Sequence, residues 1–562
     1  MKAFPDLALA SLLGAFFLAP VFASPASPNA TMEKLGTVHF AVRGQPAAQT
    51  QVVRGVKLLH HMMYEEADQA FAQAAALDPD CALAYWGRAM TLIHPLWPDA
   101  PTEADRAKGA EFIARGVACP NLPPRERDYL STLNHFFRID APSDYPARLK
   151  TLDEAWADLA EKYPEDLDAS AFAALYHLAP ARFLPKDKSN RLQIEAATRL
   201  QAIAQKIPDH PGAQHYKIHA YDFPLLADRA LEVCATYGGI APDVPHALHM
   251  PTHIYTRRGL WAESIDYNRR SAEAGRKLVA AAGGTMNSHV PHALDYLAYA
   301  LLQRGQYRAA ADVRRESEAL HGPYAPGGLT QIAFAVAAIP ARCALERQAW
   351  DEAAALPLRR PADFPWSEKF LHCESIVRFA RAIGAVRSGR LDAARAELGE
   401  QERILAGLTK TNGVSYWASQ AETHLLATRA WLAWAEQQPD NAVALMRRAV
   451  ELEAATDKEA VTPGEVLPAG DLLGDLLLEL GRPAEALAAY EAVLAASPNR
   501  LNTLYGAGLA AERAGDAGKA RHYYEQLVRV AREADPGLAR VVHAQNFLQQ
   551  SSTTIAANAR SR

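Results

Sequence analysis

Eight of the chain's 19 histidines fall between His210 and His292, in the stretches "HPGAQHYKIHAYD", "VPHALHMPTHIYTRRGLW" and "HVPHALDYLAYALLQRGQY". Their register says more than their number. A shift of 34 residues sets Pro211 under Pro245, Ala213 under Ala247, His215 under His249 and His219 under His253. A shift of 46 sets His292 under His246 and Asp295 under His249, and brings Gly305 and Tyr307 onto Gly259 and Trp261.

Neutral imidazole is a ligand for copper, zinc and iron. His215 and His219 are four residues apart and share one face of a helix. His246, His249 and His253 follow i, i+3, i+7, and His292 and Asp295 repeat the i, i+3 step. Asp222 extends the first set. Helices packed about 8–10 Å apart leave a gap that two imidazoles span. His215, His219, His246, His249, His253, His292 and Asp295 are therefore expected to converge on a metal centre.

A single histidine on a helix is ordinarily a satisfied core or surface residue. Three registered sets are another matter, because buried imidazole needs partners for both nitrogens and a shared ion satisfies several at once. His210 and His289 sit where loops enter helices, and suit capping or hydrogen bonding behind the ligands. Asp222, Tyr255 and Arg257 are placed for the same supporting role, and Arg257 could also meet an anionic substrate. Tyr216, Tyr296 and Tyr299 lie on the same turns. His60, His61, His94, His177, His372 and His424 are too scattered to assign.

Five cysteines without a CxxC pair exclude a thiolate cluster and a dense disulfide framework. Copper is the favoured ion, with zinc or iron as alternatives. A closed structural zinc needs four ligands, so the surplus points to several ions or an open coordination position.

The elements that must position these residues are helices. Gly55, Tyr64, Ala67, Phe71, Ala74 and Pro79 are spaced as small and aromatic residues are in a hairpin of two close antiparallel helices. The frame returns at Gly474, Gly481, Ala486, Tyr490 and Pro498, again at Leu504, Gly508, Gly515, Ala520 and Tyr524, and more weakly at Ala382, Gly389, Leu391, Ala394 and Leu398. Strand-like alternation is nearly missing.

The chain thus resembles the tetratricopeptide-repeat proteins over most of residues 45–535. The resemblance implies an all-α, right-handed solenoid of helix pairs whose first helices line a concave groove. The blocks HPGAxHYxIHAxD and HALHMPxHIYxRxGxW further resemble a bacterial exported family of such proteins, which brings a fold but no reaction.

The expected organisation is a signal peptide over 1–23, a linker over 24–44, N-terminal repeats over 45–120 and a divergent helical segment over 121–205. Histidine-rich repeats follow over 206–310, divergent repeats over 311–460, C-terminal repeats over 461–535 and a frayed tail over 536–562. An apolar run behind Lys2 ends in Val21-Phe22-Ala23, a small-x-small cleavage pattern, so the mature protein is expected to be periplasmic or secreted. An uncleaved anchor is the alternative. No later segment is expected to be long and apolar enough to cross a membrane. A formal charge of −5 with 22% charged residues points away from nucleic acid.

Pro251 is expected to kink or bulge the helix between His249 and His253, or to start it. No HExxH, Gly-x-Ser-x-Gly, phosphate-loop or dinucleotide motif is present. The leading expectation is a metal-dependent oxidoreductase, with copper or iron, acting on a small molecule. The alternatives are a repeat scaffold that binds a peptide or protein in the groove with at most a structural metal, a zinc-dependent hydrolase, and metal storage. Eight methionines argue against the last.

Overall fold

A computed structural model describes residues 32–560 apart from 98–99, 139–140, 143, 184–186, 188 and 413–414. The expected signal peptide lies outside the described residues. Within them the chain is an α-solenoid of successive antiparallel helix pairs, with one isolated bridge, Met286 to Tyr324, in place of any sheet.

The repeat spacing works through size. Phe71 on helix Tyr64–Leu77 fills the space left by Gly55 and Gly87, where a Cβ would collide with its ring. Tyr490 sits in the same way against Gly474 and Gly506, and Tyr524 against Gly508. An alanine at any of these glycines would push the helices apart.

The turns inside the pairs need a left-handed residue, supplied by Gly259 at φ +62° and Gly305 at φ +69°. Gly259 also touches the carbonyl of Pro498 with no room for a side chain. Trp261 Nε1 donates to the carbonyl of Asn499 at 2.8 Å, so the C-terminal repeats close onto the middle of the solenoid.

Three helices carrying histidines open on proline, Pro211–Tyr221, Pro245–His249 and Pro251–Arg257. The missing N–H costs nothing in a first turn. A fourth, His289–Gln303, packs with them, and Trp261–Ala281 backs the group. These helices lie where two hydrophobic cores meet, one built from residues between Met32 and Leu278, the other from residues between Trp261 and Cys343.

Three placements differ from the sequence reading. Residues 32–44 are extended chain packed on the first repeats, with Phe40 stacked on Trp86 at 5.5 Å. Helix Leu329–Glu346 is long and apolar enough to cross a membrane, but 94% of it is buried inside the protein, around the fully buried Arg342. Where a tail was expected, helix Ala539–Arg560 buries Ala544, and His543 Nδ1 meets Tyr505 Oη at 3.1 Å.

Candidate metal centre

The first helices bring six imidazoles into two sets of three. In His215, His219 and His246 the ligand-capable nitrogens lie within 4.8 Å of one another, and the same holds for His249, His253 and His292. The sets adjoin, with rings of His219 and His253 6.2 Å apart and those of His246 and His249 6.4 Å apart.

Their outer nitrogens are spoken for. His215 Nδ1 donates to the carbonyl of His60 at 2.6 Å. His249 Nδ1 donates to Asn268 Oδ1 at 2.9 Å, and the Asn268 amide is fixed by its own donation to the Ser264 carbonyl at 2.8 Å. His253 Nδ1 donates to Asp222 Oδ2 at 2.9 Å. Each of these rings, when neutral, therefore turns a bare Nε2 lone pair inward. Nε2 of His215, His219 and His246 has no hydrogen-bond partner among the described residues.

Burial keeps the rings neutral. It pulls His215 down to about 3 and His219, His246, His249 and His292 well below the ordinary imidazole range, with neighbouring histidines adding to the effect. His253 is lowered too, despite Asp222. Burial would raise the Asp222 carboxyl, but Lys458, Arg257 and His253 hold it well below its usual value. Arg257 Nε donates to Asp222 Oδ1 at 2.6 Å, and Lys458 Nζ lies 3.5 Å from Oδ2.

Pro251 breaks the helix at Met250, leaving Pro245–His249 and Pro251–Arg257 on either side. This is the expected kink; His246 and His249 lie on the short helix before it, not on an entry loop. The N–H of His253 bonds Met250 O at 3.2 Å, three residues back instead of four, and Thr252 Oγ1 takes the carbonyl of His249 at 2.7 Å.

Asp295 departs from the expectation of a ligand. Its Oδ1 lies 3.2 Å from Nε of Arg342, and neither set of three includes it. A fully buried guanidinium on the adjoining helix holds Oδ1, while Oδ2 is buried without a hydrogen-bond partner among the described residues. Tyr296, one residue on, is what meets the site, with its ring 4.6 Å from His249, 5.2 Å from His253 and 5.3 Å from His292. Tyr255 packs on Tyr267 instead. His289 borders the cavity described below, 6.2 Å from His246 between ring centres.

A third set, His60, Asp168 and His210, is also compact and buried. It is built differently. His210 Nδ1 accepts from the N–H of Ala213 at 3.1 Å, so its hydrogen sits on Nε2, 3.3 Å from Asp168 Oδ1, and the ring offers no lone pair to an ion; Asp168 Oδ2 is buried without a hydrogen-bond partner among the described residues. His60 bridges Asp168 at 2.9 Å and Tyr216 Oη at 3.0 Å. This set braces His60, whose carbonyl aims His215. His61 stands beside it, with Nδ1 2.8 Å from Tyr237 Oη, and the Tyr237 ring stacks on His215 at 5.6 Å. The adjacent pair His60-His61 was the signal the sequence offered.

The cover comes from the loop between helices Pro439–Ala454 and Ala469–Glu479. Besides Lys458 on Asp222, Tyr296 Oη reaches the carbonyls of Ala460 at 3.0 Å and Thr462 at 2.9 Å. Arg342 donates to the carbonyls of Glu465 and Gly464, each at 2.7 Å. Beneath this strap a cavity of about 40 Å³ is walled by His219, His246, His253, His289, His292 and Glu459. A chamber of about 320 Å³ is lined by Arg257, Tyr299, Glu453, Lys458 and Glu465. A larger cavity, about 400 Å³ around Trp366 and Cys373, has none of the site histidines in its wall.

Residues 471–500 match the tetratricopeptide-repeat family model. The chain carries a tetratricopeptide repeat. The matched stretch lies outside the histidine blocks. The crystal structure of yeast Tom70 aligns with 91% of this chain and 96% of its own at 12% identity, with a TM-score of 0.30. A structure of Naa15/Naa10 bound to HypK-THB aligns with 91% of this chain and 75% of its own at 13% identity, with a TM-score of 0.22. No curated protein matches the chain.

Proposed function

We propose that this is an exported, metal-dependent oxidoreductase acting on a small molecule. Its metal is held by His215, His219, His246, His249, His253 and His292, with copper favoured and iron or zinc as alternatives. One observation carries the reading: buried, neutral imidazoles turn lone pairs toward one another, and His249 and His253 do so across 3.0 Å. Two nitrogens bound to one ion at about 2.0–2.1 Å lie roughly 2.9–3.4 Å apart. Core packing gives no reason for such an arrangement, whereas a cation between the nitrogens does.

Copper or iron in an all-imidazole site would supply one-electron exchange. The protein's part is to fix the tautomers through His60, Asn268 and Asp222, and to exclude bulk water with the strap. The chamber beside Arg257 and Lys458 is the place for an organic substrate; its wall also carries Glu453, Asp457 and Glu465, and Asp222 already pairs both cations.

A second reading, zinc-dependent hydrolysis, gains from Glu459, a carboxylate in the cavity wall that could serve as general base to a metal-bound water. Elemental analysis of the purified mature protein, with H215A and H249A beside it, tests both. Stoichiometric copper or iron that falls in the two variants supports the proposal. Zinc alone turns it to the hydrolytic reading. A fully stable wild-type protein that neither contains nor takes up metal removes both.

A further inference from the structure

The two sets of histidines need not act as one site, and several observations separate them. Each is internally compact to 4.8 Å, the two share no member, and neither includes a carboxylate. A bound ion of this class takes four or more ligands, and three protein ligands are the mark of a site that keeps a position open. Each set offers three neutral nitrogens and stops. Of the nearby acids, Asp222 is engaged by Arg257 and Lys458, and Asp295 by Arg342 through Oδ1.

The open positions have one common outlet. The 40 Å³ cavity is bounded by His219 and His246 from the first set and by His253 and His292 from the second. A cavity of about 150 Å³ is what takes a benzene ring, so one of about 40 Å³ suits a ligand of only a few heavy atoms. Leu96, Trp97 and Met250 also line it, with the strap residues Ala460 and Val461. In the first set the Nε2 atoms of His215, His219 and His246 lack any hydrogen-bond partner among the described residues, so the set is not closed upon itself by hydrogen bonds.

Building on the metal reading above, we infer that the protein holds two ions, one on His215, His219 and His246 and one on His249, His253 and His292. Both face a single cavity that admits a ligand of two or three heavy atoms. The ligand class is a small linear molecule or anion able to meet both ions, such as dioxygen, peroxide or azide.

The test uses the full mature chain, stripped of metal and titrated with copper(II), with azide as the small-ligand probe. Two equivalents are expected to bind tightly. The paramagnetic signal should integrate to well under two spins because the ions are coupled. One azide per two coppers should give a new charge-transfer band, while benzoate, too large for the cavity, should give none. H249A should keep one equivalent and recover a full one-spin signal. H292Q, at a part-exposed ring, should do the same if H249A does not fold.

One tight equivalent in the wild type would overturn the two-ion inference and leave the metal reading standing. No binding at all would overturn both. Two equivalents with two full, independent spins and one azide per copper would overturn the shared cavity.

Discussion

The Nε2 atoms of His249 and His253 lie 3.0 Å apart, and each ring has already given its Nδ1 hydrogen away, to Asn268 and to Asp222. With both rings neutral, two lone pairs face each other inside the protein unless a proton or a metal ion lies between them. Metal removal should therefore destabilise the chain. Ligand at a hundred times its dissociation constant stabilises a fold by about 2.7 kcal/mol per site. The unfolding temperature of the loaded protein is expected to fall on chelation and to return on adding back the metal, read by a thermal melt. An identical melt with and without metal would count against the site.

Acid should unfold the metal-free chain at an unusually high pH. Burial lowers His61 and His424 to about 3 in the folded state, and His215 likewise. The unfolded chain takes up these protons near pH 6.5 and the folded chain does not. Their contribution is thus complete above about pH 7 and is lost as pH falls from 6.5 toward 3. Each fully buried ring accounts for something on the order of 5 kcal/mol across that window. Two such rings approach the whole stability of an ordinary domain. A cooperative loss of helix by circular dichroism is expected between about pH 6 and 4, and later when metal is bound.

Asp222 should matter to the metal without touching it. It fixes the tautomer of His253 and is the counter-ion of Arg257 and Lys458. D222N keeps the shape and removes the charge. The expected result is a 10- to 100-fold loss in metal affinity by chelator competition, with about 3–5 kcal/mol lost from stability because two buried cations lose their partner. Unaltered affinity would mean that His253 is aimed by packing alone.

Much of this was legible in the sequence, and what was not has a common cause. Periodicity and residue size state which face of a helix is buried, so Gly55 against Phe71 and the registered histidines could be read directly. They do not state which distant side chain meets that face. The carbonyl that sets His215 belongs to His60, 155 residues earlier, and Lys458 reaches Asp222 from 236 residues away. Asp295 had the right spacing from His292, yet Arg342 on the next helix pair was not visible as its partner. Glu459 sits in a loop whose course no local pattern specifies.

That misplacement yields its own test. Asp295 is raised to about 6 by burial, with Arg342 working against the rise. D295N is expected to leave metal stoichiometry unchanged while lowering stability by about 3–5 kcal/mol, since it strands a buried guanidinium. Arg342 also holds the strap carbonyls, so proteolysis between Thr456 and Val466 should quicken in the variant. Loss of an ion from a folded D295N protein would restore Asp295 to the ligand set.

Pro251 is the residue that most clearly trades helix regularity for the site. It removes the N–H that would have closed onto the carbonyl of Ala247. Two residues on, the His253 N–H reaches only three residues back to Met250, and Thr252 Oγ1 covers the carbonyl of His249. The break turns His249 and His253 so that their Nε2 atoms meet at 3.0 Å. P251A returns the donor and lets one regular helix form from Pro245 to Arg257, as Leu297 permits in the following repeat. The metal-free variant should be as stable as the wild type, or more so by about 1 kcal/mol, the net value of one backbone hydrogen bond. Its metal affinity should drop about tenfold, because a regular i, i+4 pair no longer carries the local tightening. A melt and a chelator competition on the same sample separate the two effects. Raised stability with undiminished affinity would make the proline a packing feature and the close approach of the two histidines independent of it.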